Sequence, residues 1–224
     1  DVEGARVKPL NPAKAAQSGI YAAALAVRGA KGPAEIFEGS DGFFQAFTDK
    51  VDTDGAVEGL GSVFEIERAY LKLYAACRHA HAALDALLEA WPAEGELESI
   101  EEIEVETYPA AIRLAGIQAP GTASAARFSI PFTLALGLRF RDAAAERYTE
   151  EVVAEPGMIA LAEKVRLVPS DRWERLYPGK RGATVRVSAA GETFTAEVDL
   201  ARGEPENPAS WDEIQSKFLK NAEL

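Results

Sequence analysis

The chain has 224 residues, 47% hydrophobic and 27% charged, with 24 Lys and Arg against 36 Asp and Glu and a formal net charge of −12. This balance excludes intrinsic disorder and collagen-like repetition, and a chain of this length can bury a core of its own. An acidic chain without a basic run excludes nucleic-acid partners, and one Cys with two His excludes a disulfide framework and a usual structural zinc site.

No apolar run reaches the length of a membrane-spanning helix and no signal peptide stands at the start, so neither a membrane nor export is expected. The lone Cys77 fits a reducing compartment, which makes the expected location cytoplasmic. The chain opens on Asp1-Val2-Glu3 without an initiator Met and reads as a trimmed protein or a fragment.

In chain order, Asn11 is placed to cap a helix with Pro12 at its first position. That helix runs through Ala15, Ile20, Ala24 and Val27 to Gly29, and its alanines suggest a packed interior helix. Short helical pieces follow over 33–48, then an Asp- and Gly-rich connector over 49–62, the first candidate domain boundary. Within it, Val51-Asp52-Thr53-Asp54-Gly55 has part of a calcium-loop pattern but lacks the closing Glu.

Phe64 to Leu73 reads as a strand, Cys77 to Trp91 as a helix ended by Pro92, and Ile100, Ile103 and Val105 as a strand. Glu101, Glu102, Glu104 and Glu106 between these apolar residues read as a solvated face. Ala123 to Leu138 reads as a second apolar helix. Val165 with Leu167, Val185 with Val187, and Phe194 with Ala196 and Val198 alternate as strands do, the last two runs forming a hairpin about Ala190-Gly191. Ser210 and Glu213 have capping-box spacing for a final helix to about Leu219. The fold class is α+β: a helical start, an α+β middle readable as a lid, and a last helix that could return to pack on the first.

Motifs for phosphate, dinucleotide, nucleophile-elbow and zinc-protease chemistry are absent. Chemistry concentrates in Cys77-Arg78-His79-Ala80-His81-Ala82-Ala83-Leu84-Asp85. On a continuous helix Cys77, His81 and Asp85 share a face, and Asp85 could fix the tautomer of His81 for proton transfer near neutral pH. The same spacing suits a packed His–Asp pair without function, or a Cys–His nucleophile pair, and His79 projects elsewhere. Lys8 lies at the mouth of the first helix, where a cation could share an anion with free N–H groups or simply be a surface residue.

Several segments resemble, in order, those of the MmgE/PrpD family, which includes 2-methylcitrate dehydratase, cis-aconitate decarboxylase and iminodisuccinate epimerase. Lys8-Pro9-Leu10-Asn11-Pro12-Ala13-Lys14-Ala15-Ala16 is similar to its K-x-L-H-x-G-x-A-A segment, and Tyr74-Ala75-Ala76-Cys77 with His81 and Asp85-Ala86 to its Y-P-x-C-x-x-x-H-x-x-x-D-A segment. Ala126-Arg127-Phe128-Ser129-Ile130-Pro131-Phe132 is similar to A-x-F-S-x-x-Y, and Gly203-Glu204-Pro205-Glu206-Asn207-Pro208 with Lys217-Phe218 to the closing segment.

The resemblance implies a helical domain (residues 1–61, in part), an α+β lid (62–203) and a helix returning to the helical domain (204–224), with the active site between. It implies no metal, no organic cofactor, and a homodimer or a partner chain that completes the helical half. It further implies proton transfer next to a carboxylate of a small di- or tricarboxylic acid, with Lys8 and His81 catalytic, Asp85 orienting, and Cys77 and Phe132 against the substrate. A dehydratase is the leading activity, and a non-catalytic ligand-binding or interaction module is the alternative. Asn11 stands where the family usually has His and Phe132 where it often has Tyr, which removes a phenolic donor.

Overall fold

In a computed structural model, which describes residues 7, 8 and 10–222, the alanine-rich opening forms helix α1 (Leu10–Val27). Gly29 follows it with φ +90°, a conformation glycine adopts without steric cost. Asn11 lies inside the helix rather than at its cap, and none of the helix's residues is buried. The expectation of a packed interior helix is corrected. Alanine has the highest intrinsic helix propensity, so an Ala-rich run stays helical without a packed face. Helices α2 (Phe43–Phe47) and α3 (Thr53–Val57) follow. Asp52 caps α3, its carboxylate accepting from the Gly55 amide at 2.8 Å. Residues 7–68 form one compact unit and the chain from Ala69 onward forms a second.

The second unit is built on α4 (His81–Ala90), β1 (Ile100–Thr107), α5 (Pro109–Ala115), α6 (Ala123–Ala126), α7 (Ile130–Phe140), α8 (Glu150–Val153), α9 (Pro156–Glu163), β2 (Val165–Pro169), α10 (Asp171–Leu176), β3 (Ala183–Ala189), β4 (Glu192–Val198) and α11 (Trp211–Ala222). The sheet has the order β2-β1-β3-β4, with β1 and β2 parallel and the other pairs antiparallel. The α+β assignment therefore holds. Ala190 (φ +51°) and Gly191 (φ +79°) make the β3–β4 turn, both left-handed as a two-residue hairpin requires.

Alternation dictates the layers. Ile103, Val105, Val185 and Val187 are fully buried on the inner sheet face, where α4 packs on β3 and β4. The opposite side of α4 packs on α7. On the outer face, Arg166 bonds Glu102 at 2.6 Å and also Glu104, while Arg186 bonds Glu104 at 2.6 Å and also Glu106. These glutamates form the solvated face expected of them, and such exposed pairs add little stability.

Three expected elements are shorter or absent. Residues 64–73 form no strand; a 3-10 turn at Glu65–Arg68 and irregular backbone replace it. The expected helix over 77–91 starts as a 3-10 turn, Arg78–Ala80, and becomes α-helical only at His81. The expected helix over 123–138 breaks into α6 and α7, because Ser129 caps α7 by accepting from the Phe132 amide at 3.0 Å and Pro131 follows in the first turn. Among the described residues no helix is long and apolar enough to cross a membrane.

Gly137 is where α7 meets α4: a Cβ there would lie 2.2 Å from Leu84 Cδ1, and Leu84 is fully buried. Gly137→Ala sets an overpacking cost of about 1–3 kcal/mol against a helix-propensity gain of about 1 kcal/mol. We expect a net loss of up to about 2 kcal/mol by urea denaturation; a gain in stability would show that the α4–α7 contact is not tight.

Candidate functional site

The segment before α4 has neither strand nor helix to satisfy its backbone, so other parts of its unit do so. The Leu71 amide donates to Gly203 O at 2.8 Å, Ala75 to Ala143 O at 2.9 Å, and Cys77 to Arg127 O at 2.7 Å. The Arg127 guanidinium adds a bond to Ala75 O at 3.1 Å. Gly203 has φ +96°, and a Cβ on it would stand 2.0 Å from Leu71 O, so this close approach requires glycine. Next to it Glu204 is 5% exposed and pairs through both oxygens with Arg78, whose guanidinium lies 3.9 Å from the centroid of the Tyr70 ring.

These ties deliver His81 to the first position of α4, 2% exposed, with Nε2 buried and unpaired. The Tyr74 ring stands edge-on at 5.2 Å. Burial, then the positive charges of Lys72, Lys217 and Arg78, push the imidazole pKa down to about 4 against the pull of the Ala76 carbonyl. His81 is therefore a neutral imidazole at neutral pH, able to accept a proton or a hydrogen bond at Nε2.

Asp85 does not orient His81. Its Oδ1 accepts from Tyr74 Oη at 2.6 Å and its Oδ2 from the Arg202 amide at 2.7 Å. Burial raises the Asp85 carboxyl, and these two donors oppose the rise. The shared helical face expected for Cys77, His81 and Asp85 also fails, because Cys77 is extended (φ −57°, ψ 138°) ahead of the 3-10 turn. Cys77 is half-buried at that turn.

Phe132 is 1% exposed in the core of its unit, its ring 6.5 Å from that of Tyr148. Lys8 belongs to the first unit, exposed in the turn before α1. The amides of Leu10 and Asn11 there already donate to Val7 O at 2.9 Å and Lys8 O at 3.3 Å, which leaves fewer N–H groups for an anion.

Sequence reasoning names Tyr74 and His79 without a site role and does not reach Lys72. His79 Nδ1 lies 2.5 Å from Tyr108 Oη, and Tyr108 stacks on Tyr177. Burial and then Arg78, Lys72 and Arg113 lower the His79 pKa as well. The available signal was a basic and an aromatic residue just ahead of the histidine-bearing helix. Beside Tyr74 opens a cavity of about 710 Å³, lined among others by Phe140, Asp142, Arg147 and Lys217. It is large enough for a small polar acid.

A family model for the MmgE/PrpD C-terminal domain matches residues 74–224, and one for the MmgE/PrpD N-terminal domain matches residues 2–55. No curated protein matches the chain.

The lowered pKa of His81 has a consequence for stability. Between about 6.5, its ordinary value, and about 4, the unfolded chain binds a proton that the folded protein does not, so stability falls as pH falls through that window. His81→Gln should flatten the pH dependence of stability there by up to about 3 kcal/mol, measured by urea denaturation at pH 7 and pH 4. An unchanged slope would mean that His81 protonates freely in the folded state.

Proposed function

The chain belongs to the MmgE/PrpD family, a dehydratase-like enzyme family, and from that premise we propose that it moves a proton next to a carboxylate of a small di- or tricarboxylic acid. The observation that carries this reading is Nε2 of His81, a nitrogen buried and unpaired on an imidazole that burial and the nearby Lys72 keep neutral. Leaving such an atom unpaired costs about 1–3 kcal/mol, which a substrate C–H or O–H group directed at it would recover in part. A carboxylate drawn to Lys72 would offset the positive field at the imidazole and raise its basicity when a proton is to be taken. His81 thus serves as base and Lys72 as a carboxylate partner, with Tyr74 holding the ring from its edge.

Dehydration of a 2-methylcitrate-like acid is the leading reaction. Decarboxylation and epimerisation remain the neighbouring outcomes, distinguished by which bond to the adjacent carbon breaks. The role that the resemblance gives to Lys8 is tested on its own by Lys8→Met. A second reading, a ligand-binding module that keeps the fold, is favoured by the enclosure of His81 and by Asp85 being committed to Tyr74 and Arg202.

The test is incubation of the protein in deuterated water with 2-methylcitrate, citrate and cis-aconitate, followed by NMR. We expect exchange or loss of a C–H signal next to a carboxylate for at least one acid, and a drop of about 10²-fold or more in that rate for His81→Ala. Silence with all three acids would favour the binding module, and full activity in His81→Ala would overturn His81 as the base.

A further inference from the structure

Helix α11 leans on its unit by one edge. Glu213, Ile214 and Lys217 are half-buried, whereas Trp211, Phe218 and Leu219 are exposed. The start of that edge is fixed firmly: Glu213 accepts from the Ser210 amide at 2.7 Å and from Arg202 Nη2 at 2.8 Å. One turn later the Lys217 ammonium reaches inward and donates to the backbone carbonyl of Lys72. Burial and the charge of Lys72 both work against a proton on Lys217, and Asp142 works for it. Burial and a like charge both disfavour the charged form of a lysine, so the hydrogen bond to the Lys72 carbonyl is held against an electrostatic cost.

We propose that Lys217 is a positioning residue for the site: it pins the Lys72 carbonyl, fixes the segment that carries Lys72, Tyr74 and His81, and stands as a further positive charge facing the imidazole. The charges that reach His81 are Lys72 from its own segment, Arg78 from the 3-10 turn and Lys217 from α11. Arg78 is balanced by the buried Glu204, the Tyr74 ring meets the imidazole in a T-shaped contact, and Asp85 is turned to Tyr74 and Arg202. Lys217 thus couples the closing helix to His81. The kinetic side of this proposal rests on His81 being the base; the electrostatic side does not.

With two histidines in the chain, each can be followed by NMR in the complete protein without substrate. In Lys217→Met the titration midpoint of His81 should rise by about 0.5 or more on the pH scale, and Lys217→Arg should restore it. On whichever acid is turned over, Lys217→Met should lower kcat by about tenfold or more, as loss of positioning does, with Lys217→Arg recovering most of it. Lys180→Met, which removes a lysine ion-paired to Asp199 on the sheet side of the unit, should shift neither. If Lys217→Met does not fold, Lys217→Gln, which keeps a donor and removes the charge, is read in the same way. An unmoved His81 midpoint in a folded charge-removing variant overturns the proposal. A moved midpoint with no turnover in any form overturns the proposed activity and leaves the positioning role standing.

Discussion

The second unit depends on the burial of α4 from two sides. Its Ala83, Leu84, Ala86 and Leu87 are almost wholly enclosed between the sheet and α7, and Gly137 of α7 leaves room for Leu84. Each buried Leu contributes about 1.5–3 kcal/mol by leaving water, so the helix cannot rotate to expose another face. His81, at the first position of that helix, is carried inside by the packing of its neighbours. The electrostatics then follow: an imidazole buried among positive charges stays neutral, and its Nε2 is enclosed without a partner.

A buried helix start needs its incoming chain held, and the segment from Leu71 to Cys77 supplies no regular structure of its own. Its amides are satisfied by Gly203, Ala143 and Arg127, which come from three distant parts of the sequence. The Arg78–Glu204 pair works in the same direction. With Glu204 buried, either partner alone would be an uncompensated charge, so the pair enforces the approach of the 200–207 loop to the turn before α4. Asp85 adds another tie to that loop through the Arg202 amide. Its work is architectural, and the tyrosine between it and His81 is the group that shapes the edge of the imidazole.

Features governed by neighbours in sequence were legible there. The β3–β4 hairpin, the acidic outer face of β1 and the Ser210–Glu213 capping box each rest on residues a few positions apart, and each stands as read. The helix over 77–91 was read too long because apolar spacing alone cannot tell a 3-10 turn from the first turn of an α-helix, and that error carried the Cys77–His81–Asp85 face with it. The Ser129 and Pro131 signals that split 123–138 were present but outweighed by its apolar content. The alanines of α1 were read as packing when they express helix propensity. The partners of Asp85 lie 11 and 117 residues away, and the charges around His81 come from both ends of the unit, so no local pattern encodes them. Family resemblance located His81; only the fold shows that it is buried, neutral and unpaired.

The central claim is that the unpaired, neutral imidazole of His81 is where a polycarboxylate acts. The most direct measurement is nitrogen NMR of the two histidines during titration with tricarballylate, an unreactive tricarboxylate, with binding followed in parallel by calorimetry. The account predicts that saturation moves the His81 Nε2 resonance and raises its titration midpoint above about 4, while His79 changes less. Calorimetric saturation with the His81 resonance unmoved would contradict it.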